Sequence, residues 1–385
     1  MSESTRPTPG AAQGPLDALR ARIDQVDHEI LRLFGERSLI VGQIADVKRT
    51  GRIPIRDFAR EAQIIADRRT RAAALGFSPA VVESVFRLIL AASRDRQAEL
   101  KVEVPPELEA RRVAVIGGKG GMGRCMAGVF TDLGHTVTVA DLDTTVTPEQ
   151  AARIADVVVI SVPIEITIDV IRKIGPLVRT DGLLMDVTSI KEAPVRAMLE
   201  STQASVVGTH PLFGPTVHTV QGQRIVLTPG RGDAWAAWLR QNLSARGLAV
   251  CQATAQEHDQ AMAIVQVLTH FSTEVMGRTL SRLGAPIART LEFTSPIYLM
   301  ELIMTARHFA QSADLYASIQ MSNPLTPQVT GEFIAAAQEL RDAVTDGDRA
   351  AFRRLFAEVQ QHLGSFRDQA LDQSSYLIDR LVERA

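Results

Sequence analysis

Three groups of residues have the types and spacing to do chemistry. The first is a glycine run. Val113–Ile116 is apolar and leads directly into GGKGGMG, in which Gly118, Gly120 and Gly123 form G-x-G-x-x-G around Gly121 and Met122. Between a strand and a helix, such glycines permit a tight turn and let backbone N–H groups approach a pyrophosphate at a helix N-terminus. Asp141 follows Gly123 by 18 residues and ends the next strand-like run. A carboxylate there accepts both ribose hydroxyls of NAD and repels a 2′-phosphate. Leu142 and Asp143 follow it rather than an arginine, which favours NAD over NADP. Lys119, inside the loop, either assists a phosphate or points to solvent.

The second group lies at the ends of apolar runs, where ligands of open α/β sheets gather. Ser161 closes ADVVVIS and is followed by Val162 and Pro163. Ser189 and Lys191 follow GLLMDVT, and His210 closes SVVGT. A histidine between Thr209 and Pro211 at the mouth of a sheet is placed to act as a general base. Lys191 is either part of that site or a solvent lysine at a helix start. Further on, Glu257, His258 and Asp259 open a helix, with His270 about three turns later; a solvated helix start competes with a site here. Arg307 stands in the apolar segment SPIYLMELIMTARHF. It needs an acidic partner such as Glu301, or it receives a substrate carboxylate.

The third group is cationic. Arg37 and Lys48 are 11 residues apart, so on a helix they share a face to within ~20° and lie ~16 Å apart. Arg20 precedes Arg37 by 17 residues, which places it ~25 Å away and ~100° round the helix. One chain cannot bring both to the same small ligand. Asp57, Arg60 and Glu61 are neighbours on a second helix, and Ser93 and Gln97 are i, i+4 partners on a third. Taken singly, each is either a surface residue or part of a shared anion site.

The elements that must carry these residues follow from pattern. Leu16, Leu19, Ile23, Val26, Ile30, Leu33, Phe34, Ile40, Val41 and Ile44 recur at three- and four-residue steps and predict one helix to about Arg49. A second helix is expected from near Asp57 to Gly76, and a third from Ser78-Pro79 to about Leu100. A first helix of that length overhangs a monomeric bundle and suggests pairing with another subunit. After Val104-Pro105-Pro106 the pattern changes to short β-branched runs separated by helical stretches, the signature of a buried parallel sheet in an α/β domain. GQRIVLTP and Leu248–Gln252 are candidate last strands. From about Thr254 the chain reads as helical. The expected division is 12–103, 111–253 and 254–385.

Composition narrows the class. In 385 residues, 42 Lys+Arg stand against 44 Asp+Glu, so there is no basic field for nucleic acid or anionic membrane. At 45% hydrophobic and 22% charged the chain is of globular type. Its two cysteines suit a reducing compartment and are too few for a disulfide scaffold or a zinc cluster. No metal site is expected. The first 15 residues lack the apolar core of a signal peptide, so a cytoplasmic location is expected.

These motifs carry a resemblance. LDALR, GERSLIVGQIADVK and IPIRDFARE, with Ser93 and Gln97 in register, resemble the all-helical chorismate mutase class over residues 12–100. GGKGGMGR, VISVPI, DVTSIKEAP, GTHPLFGP, EHDQAMA, TSPIYLMEL and LYASI are similar to prephenate dehydrogenase over residues 111–385. In this order the two resemble the bifunctional chorismate mutase/prephenate dehydrogenases, the T-protein family of tyrosine biosynthesis. The resemblance implies that Arg20, Arg37 and Arg60 hold the two carboxylates of chorismate, Arg20 acting from the other subunit of a homodimer. Lys48 and Gln97 then contact the ether oxygen of the breaking bond. Glu61 holds the ring hydroxyl, with Asp57 and Ser93 nearby. In the second half it implies that His210 takes the proton of the ring 4-hydroxyl and Ser189 contacts substrate and NAD. His258 is a second active-site histidine, and Arg307 holds a prephenate carboxylate. Three departures stand out: GPTVHT after His210, Leu299 where an arginine can occur, and Lys119 for a glycine. They bear on prephenate against arogenate preference and on feedback by tyrosine. A helical module that only senses ligands, and a generic hydroxyacid dehydrogenase, are the competing readings.

Overall fold

The computed structural model describes residues 13–50, 57–99, 109–217 and 219–382. With neither proline nor an unfavourable break between Leu16 and Ile44, the first periodic run folds as one helix, α1 (Gln13–Thr50). Its 38 residues span about 57 Å at 1.5 Å each. Asp57 caps α2 (Phe58–Ala74) by accepting the Arg60 N–H at 2.9 Å. Gly76, at φ +74°, follows where a side chain would strain the turn. Helix α3 (Pro79–Glu99) begins on its proline. Val41, Ile65, Ala72 and Leu90 are buried among these helices, whereas Leu19, Ile23, Val26, Ile30 and Leu33 of α1 are exposed.

The second region is a seven-stranded sheet in the order β2-β1-β3-β4-β5-β6-β7. Its strands are β1 (Arg112–Ile116), β2 (Thr136–Ala140), β3 (Val157–Ile160), β4 (Leu183–Asp186), β5 (Ser205–Pro211), β6 (Arg224–Arg231) and β7 (Ala249–Gln252). Helices α4 (Gly121–Asp132), α5 (Pro148–Ile154), α6 (Ile164–Ile174), α7 (Glu192–Ser201) and α8 (Asp233–Ala245) make the crossovers. Two buried apolar clusters, around Phe130 on one face and Ile171 on the other, show that both faces are covered. That is why the strands read as continuous apolar runs. The expectation of a parallel sheet needs one correction: β6 pairs with β5 antiparallel. The described residues of the segment between them hold no helix to carry the chain back across the sheet, so β6 returns alongside β5. Helix α8 restores a parallel crossover to β7.

The strand order reverses at β1. The crevice between the carboxyl ends of β1 and β3 is therefore the topological switch point, where such sheets bind ligands.

The rest is helical, as expected. It comprises α9 (Ala255–Met262), a π-helical segment (Ala263–Leu268), α10 (Thr269–Leu283), α11 (Ile287–Glu292) and α12 (Pro296–Phe309). It continues with α13 (Ala313–Ser322), α14 (Thr326–Thr345), α15 (Arg349–Leu363) and α16 (Phe366–Val382). Among the described residues, no helix is long and apolar enough to cross a membrane.

Candidate active sites

The glycine loop is built for close approach. Gly117 has φ +75°, and a Cβ there would stand 2.2 Å from the Ser161 carbonyl oxygen. A Cβ at Gly123 would stand 2.4 Å from the Gly117 carbonyl oxygen, and one at Gly118 would meet Val139. Gly120 is the N-cap of α4 and offers no side chain, so the first N–H groups of the helix are left for an anion. Gly121 lies under Pro215, and Met122 is partly buried against the core. Asp141 directly follows β2. One carboxylate oxygen accepts the Lys119 N–H at 3.0 Å and the other its neighbour Leu142 N–H at 2.9 Å, so the acid is tied to the loop. The Lys119 ammonium is exposed and pairs with Asp143 at 2.7 Å. Ser161 and Val162 form the wall behind Gly117, and Pro163 caps α6. This cradle fits a dinucleotide. Gly117 was missed in the motif; its signal was a second glycine directly after the strand.

His210 is the last residue but one of β5, among buried neighbours. Its Nδ1 lies 2.9 Å from His258 Nε2, and His258 Nδ1 lies 2.7 Å from an Asp259 carboxylate oxygen. The Asp259 carboxylate also accepts the backbone N–H groups of Lys191 (2.8 Å) and Glu192 (2.9 Å) at the start of α7. These bonds decide the tautomers. The carboxylate only accepts, so His258 carries its proton on Nδ1. Its Nε2 then accepts from His210 Nδ1–H, which leaves the lone pair of His210 on Nε2. The Gln266 amide lies 3.3 Å from that lone pair and donates to it. Gln266 sits in the π-helical segment, a distortion that often marks working sites. Burial, with His258 and Lys191 beside it, holds the His210 imidazolium well below its ordinary range. His210 is thus a neutral imidazole with an oriented lone pair.

Several expectations are decided by these contacts. His258 and Asp259 are buried, not a solvated helix start. Lys191 is no solvent lysine: it is 0% exposed and paired with Asp186. Ser189 is half-buried, and its hydroxyl has no partner among the described residues. Arg307 and Glu301 are both exposed on α12, but six residues apart they point ~120° away from each other round the helix, and among the described residues no ion pair joins them. Among the described residues, no hydrogen bond or ion pair joins Arg307 to His210 either. Beside it, Glu274 accepts from Gln320 at 2.8 Å and lies 3.0 Å from His308 Nε2. His308 stacks on Tyr316, with His270 edge-on to the same ring. Sequence reading noted His270 and missed the rest, since three helices converge to make this cluster.

In the helical region, a cavity of about 460 Å³ opens between α1 and α3, lined by Phe34, Arg37, Val41, Ile89 and Ser93 among others. Arg37 donates to the Ser93 hydroxyl, which in turn donates to the Ile89 carbonyl at 2.6 Å. Burial and then the nearby Arg68 lower the affinity of the Arg37 guanidinium for its proton, as expected where cations converge on an anion site. Glu61 pairs with Arg94 at 2.7 Å. Asp57 serves as helix cap, and Arg60 donates to Gln63 at 2.6 Å. Arg20 is exposed near Asp17, and the unbroken helix keeps it away from Arg37. The side chains of Lys48 and Gln97 lie outside the described residues.

Comparison with known proteins matches three family models: chorismate mutase type II over residues 19–98, the prephenate dehydrogenase nucleotide-binding domain over 126–250, and the prephenate dehydrogenase dimerization domain over 254–358. The T-protein of Enterobacter agglomerans is 35% identical over 364 residues, which cover 94% of this chain and 97% of that protein. The T-protein of Haemophilus influenzae is 32% identical over 95% of this chain and 97% of its own length. A crystal structure of prephenate dehydrogenase from A. aeolicus, in complex with hydroxyphenyl propionate and NAD+, superposes with a TM-score of 0.55 at 16% identity. It covers 67% of this chain and 99% of its own. At that identity it supports the fold.

Proposed function

The chain belongs to the T-protein family of bifunctional chorismate mutase/prephenate dehydrogenases, and from that premise we propose how its residues divide the work. It rearranges chorismate to prephenate and then carries out the NAD-dependent oxidative decarboxylation of prephenate to 4-hydroxyphenylpyruvate. Residues 12–103 do the first, and 111–253 and 254–385 together do the second.

The first reaction is intramolecular and needs neither nucleophile nor base. Arg37 and Arg60, with Arg20 from the partner subunit, hold the two carboxylates in a compact conformer. Lys48 and Gln97 face the ether oxygen, where negative charge develops as the bond breaks. Glu61 and Ser93 complete the ring-side contacts, and Asp57 fixes the start of α2.

For the second reaction, Gly118, Gly120, Gly121, Met122 and Gly123 receive the pyrophosphate of NAD at the start of α4, and Asp141 the ribose. Ser161, Val162 and Pro163 wall the nicotinamide end. When bound, NAD+ supplies the hydride acceptor. His210 Nε2 exchanges the Gln266 amide for the ring 4-hydroxyl and withdraws its proton as that carbon is oxidised. The ring carboxylate then leaves as CO2 and the ring becomes aromatic. Ser189 offers its unpartnered hydroxyl to substrate, His258 holds the tautomer of His210, and Arg307 receives a carboxylate of prephenate.

The observation that carries this reading is the buried His210–His258–Asp259 series at the sheet edge that also carries the glycine cradle. The exposed apolar stripe of α1 and the dimerization-domain match support a homodimer. Feedback by tyrosine and a cytoplasmic location complete the proposal. A coupled assay from chorismate with NAD+, run with and without tyrosine, tests it. His210→Asn should keep chorismate consumption and NAD+ binding and lose NADH formation; retained NADH formation would remove His210 from its role. Parallel rates with prephenate and arogenate measure substrate preference.

A further inference from the structure

A lysine with no assigned role lies behind His210. Lys191 is fully buried, and so is its partner Asp186 at the end of β4. All three ammonium protons have acceptors: the Asp186 carboxylate, the Thr209 carbonyl at 2.7 Å and the Thr188 hydroxyl at 3.3 Å. Asp186 accepts in addition from the Thr188 N–H at 3.1 Å and the Thr209 N–H at 3.3 Å. Thr209 is thereby gripped at both its N–H and its carbonyl, and His210 is the next residue. The circuit then closes, because the Lys191 backbone N–H donates to Asp259, which orients His258 and through it His210. Asn323, from the end of α13, donates to the Asp259 carbonyl at 2.9 Å and ties the ring to the helical region.

Burying two charges is costly, and an apolar pair of similar volume usually stabilises a fold as well or better. A pair kept at this point is explained by what it positions. We propose that Lys191 is a positioning residue of the dehydrogenase site: paired with Asp186, its ammonium fixes the peptide that carries His210 and places a positive charge behind the ring. This rests on His210 being the base. The charged and titratable groups about His210 are Lys191 before α7, Asp186 at one remove on β4, and His258 and Asp259 on α9. Opposite it on β6 is Val226, and the π-helical segment contributes the uncharged Gln266. A positive charge there disfavours the imidazolium, so Lys191 also keeps the base neutral.

The test uses the full chain. Lys191→Met alone strands a buried carboxylate and risks misfolding, so Lys191→Met/Asp186→Asn, which removes both charges, is measured beside it. The double variant should keep the mutase rate and the KM for NAD+ while kcat for prephenate oxidation falls ~100-fold, the scale of a ~1 Å misplacement of a reacting group. The acid limb of the kcat profile should move to higher pH in Lys191→Met, which takes away only the positive charge behind His210, and by less in the double variant, which takes the Asp186 charge with it. Wild-type kcat with an unmoved acid limb would overturn the proposal. So would loss of NAD+ binding in the double variant, which would mark the pair as structural only. His210→Asn separates the two readings. If it retains turnover, the assignment of the base fails and the role of Lys191 fails with it. If it is dead while the double variant turns over normally, only the role of Lys191 fails.

Discussion

His210 shows what burial does to a single residue. An exposed imidazole is half-protonated near pH 6.5. Here the fold holds it neutral below that. Dehydrogenase turnover should therefore persist as pH falls through 6.5, where an exposed histidine base would already be lost; the acid limb of kcat reads this directly. The same fact carries a stability cost. His135 is also buried and held below 6.5, its Nδ1 accepting the Arg111 N–H at 3.2 Å. Both side chains bind a proton more readily in the unfolded chain. Their contribution is thus fully present above about pH 6.5 and is lost as pH falls toward their folded values. Asp156, held at about 2 by Arg112, acts only in a lower window, below its ordinary 3.8. Denaturant midpoints should drop between about pH 7.5 and about pH 5. A midpoint constant over that interval would contradict the buried neutral assignment.

At the scale of elements, the site depends on how helices begin. Thr254 caps α9: its hydroxyl accepts the Glu257 N–H at 3.1 Å, while the Glu257 carboxylate accepts the Thr254 N–H at 2.8 Å. The next residue is His258. Thr254→Ala should cost about 1 kcal/mol in denaturant unfolding. It should also lower kcat of the dehydrogenase more than that of the mutase, because the cap orients α9, which carries His258 against His210. Gly117 governs the other edge. At φ +75°, with the Ser161 carbonyl 2.2 Å from where a Cβ would stand, Gly117→Ala must open the turn. NAD+ affinity should fall at least tenfold by direct titration, a loss of about 1.4 kcal/mol. The mutase rate should be unaffected.

The whole molecule decides what single helices cannot. Helix α1 is about 57 Å long, and its exposed apolar stripe begins near Arg20, far from the cavity at Arg37. If Arg20 acts across a dimer, Arg20→Ala and Arg37→Ala chains should each be inactive as mutases. Mixed by unfolding and refolding together, they should regain about a quarter of the wild-type rate, since half of the dimers are hybrids with one intact site of two. No recovery on mixing would place both arginines in the same chain's site.

Much of this protein was legible in its sequence because the governing interactions are local. The long helix follows from three- and four-residue spacing, the buried strands from β-branched runs between crossovers, and the cradle from glycines that follow a strand. The separation of Arg20 from Arg37 needs only helix geometry. What the sequence could not decide is what depends on partners distant along the chain. Lys191 reads equally as a site residue or a solvent lysine until β4 brings Asp186 beneath it and β5 brings the Thr209 carbonyl. From its spacing alone His258 reads equally as a site residue or a solvated helix start until α9 docks on the sheet edge and sets it 2.9 Å from His210. The antiparallel direction of β6 likewise departs from the parallel reading, because the described residues of the loop before it hold no crossover helix. Local pattern fixes the elements because backbone geometry repeats residue by residue. A buried charge is viable only where several elements together satisfy it, and that condition exists only once they have packed.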